Sequence, residues 1–109
     1  MALQHASSGQ VFALQRSDED GSQFSSIALA KTDDVELIRL VLPAGKTMPE
    51  HWVKGEITLQ CLSGEIAVDA HGRTATLHGG EMLYLAGATP HALTAVTDSV
   101  ALLTILLKS

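Results

Sequence analysis

The sequence has few of the residues that mark well-known functional classes. One cysteine, Cys61, occurs among 109 residues, so no internal disulfide can form. Aromatic residues make up 4% of the chain against 46% hydrophobic residues, so the core must consist mainly of aliphatic side chains. Cys61 lies in an apolar strand pattern, which is typical of a small buried hydrophobic residue and is consistent with a reducing compartment. We therefore expect a cytoplasmic protein.

Concentrated positive charge and long apolar runs are also missing. The 7 Lys and Arg residues are outnumbered by 12 Asp and Glu, and they are scattered along the chain. Without a basic stripe, nucleic acid is not expected as a partner. The longest strongly apolar run, residues 100–107, is less than half a membrane span, and residues 1–10 have no secretion-signal pattern. We therefore expect no membrane partner either.

Several catalytic and binding motifs are absent. The chain has no GxGxxG, phosphate-binding loop, HExxH, GxSxG or CxxC. Nucleotide binding, zincin hydrolysis, α/β-hydrolase catalysis and a zinc ribbon therefore have no basis in the sequence.

The sequence does contain a succession of short β-strand patterns separated by turn residues. Apolar and polar residues alternate most clearly at 65–69 and 73–77. We expect strands at residues 10–15, 26–31, 35–42, 56–62, 65–70, 74–77, 82–85, 91–96 and 100–107. No segment has a helical period over three turns, so the pattern predicts an all-β sandwich or barrel.

The length permits one domain with one core. Residues 1–9 are polar and small, which predicts a mobile N-terminal tail, and residues 10–109 are expected to form the domain.

Two histidines stand at fixed distances from glycines. Gly45 precedes His51 by six positions, and Gly64 follows that histidine by thirteen. Gly80 precedes His91 by eleven positions. Because both clusters lie in strand-rich sequence with turns at the glycines, a closed β-structure would bring the two imidazoles together.

This spacing resembles the two motifs of the cupin superfamily, the RmlC-like small β-barrels. The resemblance spans about residues 40–97 and is partial at the metal site. Val53 stands at the position of the second motif histidine, and Ile57 stands at the position of the glutamate. In the second motif Ala86 and Ala88 replace proline and glycine, and Ala95 replaces the asparagine.

The resemblance implies a double-stranded antiparallel β-barrel of the cupin or jelly-roll type. It also implies a homodimer, formed by sheet packing or strand exchange. In a cupin the metal ligands point into the barrel, which makes His51 and His91 candidate ligands for a divalent transition metal such as Zn, Ni, Mn or Fe. A third ligand would come from solvent, or from Glu56 if a bulge near Lys54 and Gly55 turns that side chain inward.

Strand alternation from the two histidines predicts an apolar pocket. Its expected lining is His51, Val53, Ile57, Leu59, Cys61, His91 and Leu93. Because two ligand positions are replaced by apolar residues, we expect a module that binds a small organic molecule there. The alternatives are a metal-dependent enzyme, dioxygenase-like or isomerase-like, and a metal-free enzyme in which one imidazole is the general base.

Overall fold

The computed structural model describes residues 5–11, 13–15 and 21–107. Nine strands occur in these residues: β1 (Ser25–Lys31), β2 (Val35–Leu42), β3 (Thr47–His51), β4 (Ile57–Ser63), β5 (Glu65–Ala70), β6 (Arg73–His78), β7 (Met82–Leu85), β8 (His91–Ala95) and β9 (Ser99–Leu106). The same residues contain no helix, so the predicted all-β class is confirmed. No helix long and apolar enough to cross a bilayer occurs among the residues that the structure describes.

The strands form two antiparallel sheets. One sheet has five strands in the order β1-β2-β9-β4-β7, and the other has four in the order β3-β8-β5-β6. The predicted jelly-roll architecture is confirmed, although the sheets are not closed into one continuous barrel. In the four-stranded sheet β3 is an edge strand, whereas β8 lies between two neighbours.

The core lies between the two sheets. Because side chains alternate along a strand, β4 buries every second residue, and its inward positions are Ile57, Leu59 and Cys61. The fully formed core cluster is Leu40, Leu42, Leu59, Cys61, Ile66, Val68, Leu77, Leu93, Ala95 and Ala101. It is aliphatic, as the low aromatic content predicted.

The strand predicted at residues 10–15 is wrong for the residues that the structure describes there. Residues 10, 11 and 13–15 belong to no strand. Instead, the Leu14 carbonyl accepts a hydrogen bond from Nε of Arg39 at 2.6 Å, and Nε2 of Gln15 donates to the Leu62 carbonyl at 3.1 Å. The segment therefore contacts β2 and β4 through side-chain hydrogen bonds instead of strand pairing.

Strand β3 was not predicted, and its composition explains why. Thr47–His51 contains Pro49, which has no N–H to donate to a ladder. Proline is tolerated on an edge strand, and β3 pairs with β8 alone. The pairing also shifts register between Met48 and His51. This irregular edge strand lacks the alternation that identified the others.

The predicted mobile tail lies partly outside the described residues. Residues 1–4 are not among them, and within residues 5–9 the Ala6 amide donates to the Leu29 carbonyl at 2.7 Å. Mobility of residues 1–9 stays a prediction.

Candidate functional site

Strands β3 and β8 place the two histidines side by side. His51 and His91 are direct partners in the antiparallel register, and such partners project their side chains on the same face. Their ring centroids are 4.5 Å apart, with 55° between the ring planes. The environments differ: residue His91 is buried, with 4% exposure, whereas His51 is exposed.

Each ring is oriented by a backbone carbonyl two residues earlier in the chain. Nδ1 of His51 lies 3.2 Å from the Pro49 oxygen, and Nδ1 of His91 lies 2.9 Å from the Thr89 oxygen. A carbonyl oxygen only accepts, so each Nδ1 carries the proton and donates it. In the neutral rings Nε2 then keeps its lone pair, and the pair offers two acceptor nitrogens.

The histidines border a narrow apolar cavity of about 30 Å³. Its lining consists of Leu40, Met48, His51, Ile57, Leu59, Val68, Leu83, Leu85, His91, Leu93 and Leu103. Pockets for drug-sized ligands typically measure roughly 300–1,000 Å³. In this conformation the cavity therefore holds only a few atoms, and the histidines are its polar groups.

Five of the seven predicted lining residues contact this cavity: His51, Ile57, Leu59, His91 and Leu93. Val53 does not, because β3 ends at His51 and strand alternation stops there. Val53 instead lines a separate depression that includes Lys54, Gly55 and the end of β9.

Cys61 also lies outside the cavity lining, for a different reason. It is on the inward face of β4, as predicted, but further along the strand, where the core is fully packed. Burial raises the pKa of the Cys61 thiol, and its Sγ lies 3.4 Å from the Ser63 carbonyl oxygen. Cys61 is therefore a protonated core residue at neutral pH.

Sequence reasoning missed the part of the lining that comes from other strands. These residues are Leu40, Met48, Val68, Leu83, Leu85 and Leu103. Alternation within β2, β5, β7 and β9 identifies inward positions, but it does not say at which depth along a strand a cavity begins.

A resident transition metal with three protein ligands does not fit these residues. Glu56, the conditional candidate for a third protein ligand, is exposed, and its carboxylate accepts a hydrogen bond from the Tyr84 hydroxyl. This bond raises the pKa of Tyr84. Across the described ranges no group of three or more His, Cys, Asp or Glu side chains is arranged to hold a metal. Two imidazoles alone fall short of the ligand set of a stable site.

The loop between β3 and β4 is fixed by close backbone contacts at two glycines. A Cβ added to Gly55 would lie 1.8 Å from the Leu106 carbonyl oxygen, and one added to Gly87 would lie 2.5 Å from the Lys54 oxygen. The Ala88 amide donates to the Val53 carbonyl at 2.8 Å. These contacts hold the loop that follows His51 against β9 and against Gly87 and Ala88.

Comparison with known families agrees with this architecture. A family model described as a cupin domain matches residues 38–107, which is more than half of the chain. The chain belongs to the cupin domain family. Residues 38–107 contain seven of the nine strands in full, most of β2 and both histidines, so this cupin has its candidate site inside the matched region.

Solved structures with the same fold include a protein of unknown function and a cupin. A conserved protein of unknown function from Streptococcus pyogenes is 22% identical with a TM-score of 0.81, covering 99% of this chain and 98% of that one. An RmlC-like cupin from Desulfovibrio desulfuricans is 25% identical with a TM-score of 0.74, covering 94% and 98%.

A salicylate 1,2-dioxygenase from Pseudaminobacter salicylatoxidans also has this fold. It is 23% identical with a TM-score of 0.64, covering 67% of this chain and 21% of the enzyme. At that identity the likeness concerns the fold. No curated protein matches the sequence.

Proposed function

We propose that this cupin binds a small organic molecule that has an apolar body and one hydrogen-bond donor. The proposal rests on the orientation of His51 and His91. Their Nδ1 atoms face carbonyl oxygens, so their Nε2 atoms are left as hydrogen-bond acceptors. A ligand hydroxyl donates to one Nε2, and its apolar body contacts the leucine-rich lining. A small apolar cavity with few polar groups is the usual form of such a site.

The cavity volume limits the size of the ligand. About 30 Å³ accommodates only a few atoms, so a larger ligand requires side-chain movement. Met48, Leu83 and Leu103 are half-buried, in contrast to the tightly packed core residues. Methionine is unbranched and flexible, so Met48 on the edge strand is the side chain best able to make room.

The experiment is a titration followed by NMR of the histidine rings and leucine methyl groups. The probes are 2-propanol and phenol. Fluorobenzene is the control, because it has nearly the shape of phenol but cannot donate a hydrogen bond. Phenol should shift the His51, His91 and Leu59 signals at lower concentration than fluorobenzene does. His51→Ala should weaken this donor preference, because it removes one of the two acceptor nitrogens, and His78→Ala, on the exposed surface, should keep it. If neither 2-propanol nor phenol shifts these signals, the proposal fails.

A metal-dependent dioxygenase-like or isomerase-like enzyme is the second candidate. The same observation favours it, because a ligating histidine typically donates its other N–H to a carbonyl or carboxylate. The donor set opposes it, since the described residues supply two imidazoles and no third ligand. Binding of Ni²⁺ at one equivalent per chain, lost in His51→Ala, would favour the enzyme over the binding module.

We also propose that the protein is a homodimer. Strand β7 is at the edge of the five-stranded sheet, and its outward side chains Met82 and Tyr84 are 61% and 58% exposed. An edge strand with exposed large side chains is a surface that association would cover. Light scattering at micromolar concentration should give twice the mass of the chain, and a monomer mass contradicts the proposal.

A further inference from the structure

A second cleft, whose lining includes charged side chains, lies beside the histidine cavity and shares no lining residue with it. Its volume is about 680 Å³, and its lining is Glu50, Asp69, Ala70, His71, Gly72, Arg73, Thr74, Ala88, Thr89 and Pro90. This volume is in the range of small-molecule sites, roughly 300–1,000 Å³. The cleft therefore has room for a ligand that the narrow cavity cannot hold.

The shape of the cleft is set by two backbone segments in conformations that side chains seldom adopt. His71 and Gly72 have φ angles of 54° and 72°, which is the signature of a type I′ turn joining β5 to β6. Ala88, which also lines the cleft, has a φ of 60°, and its amide donates a hydrogen bond to the Val53 carbonyl. Parts of the cleft lining therefore have a constrained backbone.

Three charged side chains line the cleft, and two of opposite sign, Arg73 and Glu50, have no polar partner among the described residues. The Arg73 guanidinium and the Glu50 carboxylate make no hydrogen bond or ion pair with any residue that the structure describes. By contrast, Oδ1 of Asp69 accepts a hydrogen bond from the Thr74 hydroxyl. Arg73 is the first residue of β6 and Glu50 belongs to β3, so the two charges come from different strands of the four-stranded sheet.

We propose that this cleft binds a small zwitterion carrying a carboxylate and a protonated amine. The carboxylate pairs with Arg73, whose planar guanidinium can donate two parallel hydrogen bonds to it, and the ammonium pairs with Glu50. The net charge of −5 opposes the approach of a simple anion, whereas a zwitterion has no net charge to repel. This site is separate from the histidine cavity and does not depend on the function proposed there.

The cleft also borders the histidine pair through the backbone. The Thr89 carbonyl that accepts from His91 belongs to a lining residue, and Glu50 is adjacent to His51 in β3. NMR signals from both sites can therefore be followed in the same spectra and assigned to one or the other. Leu59 and Leu93 report on the cavity, while residues 70–74 and 88–90 report on the cleft.

The test is an NMR titration of the full chain with glycine, β-alanine and γ-aminobutyrate, which differ in the distance between their charges. At least one should give saturable shifts at residues 70–74 and 88–90. Its N-acetylated and amidated derivatives, each with one charge, should bind more weakly. Arg73→Gln and Glu50→Gln should each weaken binding by about two- to fivefold, the range of an exposed ion pair.

Lys31→Gln and Asp33→Asn are the matched controls, since each removes an exposed charge elsewhere and should leave the affinity unchanged. Two results would overturn the proposal. One is the absence of saturable shifts with all three zwitterions. The other is equal binding of an N-acetylated derivative, which would show that Glu50 plays no part.

Discussion

The two strands that carry the histidines are neighbours, yet they hold the same chemical group in different ways. His91 is on β8, a regular strand with a partner on each side, and the residue is 4% exposed. His51 is on β3, an edge strand with a proline and a register shift, and the residue is exposed. In both rings Nδ1 nonetheless donates a hydrogen bond to the carbonyl two residues earlier in the chain. Ring orientation is therefore local, whereas burial is set by the position of the strand in the sheet.

The largest effect should come from the contact that holds the loop after β3. In Gly55→Ala the new Cβ would meet the Leu106 carbonyl oxygen at 1.8 Å, and backbone on both sides would have to move. We expect a loss of about 3 kcal/mol in the free energy of unfolding, the upper range for overpacking. Urea denaturation measures this. Gly45→Ala is the control, since a Cβ there meets no atom within 4 Å and only its φ of 84° is strained. Equal losses would mean that the loop is not held by this contact.

The next largest effect should be a difference in stability between the alanine variants of His91 and His51. His91→Ala empties a buried position and leaves the Thr89 oxygen without its donor, so we expect a loss of about 2 kcal/mol. His51→Ala removes an exposed ring and should cost less than about 1 kcal/mol. Thermal unfolding of the two variants provides the comparison. Similar losses would contradict the difference in burial.

Introducing a third histidine tests which positions lie close enough to His51 and His91 to bind the same metal ion. Ile57→His places a new ring in the cavity lining and should tighten Ni²⁺ binding by on the order of tenfold. Val53→His places it in a separate depression and should leave the affinity unchanged. Calorimetric titration measures both, and circular dichroism checks that each variant folds. Tighter Ni²⁺ binding by Val53→His would contradict this placement and would mean that position 53 lies near His51 and His91.

The smallest effect should be on the pH dependence of the free energy of unfolding, and it concerns Glu81, which lies outside the histidine cavity. Hydrogen bonds from the His78 amide and then its ring lower the pKa of Glu81 below its ordinary value of 4.5. Since the folded-state pKa is the lower one, the contribution to stability is present above pH 4.5 and is lost as the pH falls through the folded pKa. The stability difference between the natural chain and Glu81→Gln should shrink on acidification. A constant difference from pH 7 to pH 3 would contradict this assignment.

Much of the fold was predictable because most strands alternate and are separated by turn residues. Strand β7 has the predicted bounds, and β4 has the predicted inward face. Two failures share a cause, since β3 and residues 14 and 15 make their contacts with residues distant in sequence. Val53 was assigned by extending alternation beyond the end of β3, and Cys61 by parity that carries no information on depth.

An edge strand that holds one half of a two-residue site has a consequence for how the protein can change. Substitutions in β3 alter what the site recognises while disturbing little of the core, since this strand contributes no fully buried side chain. Substitutions in β8 disturb packing and chemistry together. New specificities in this scaffold should therefore arise first in β3, and a library confined to Thr47–His51 should retain more folded members than one confined to His91–Ala95.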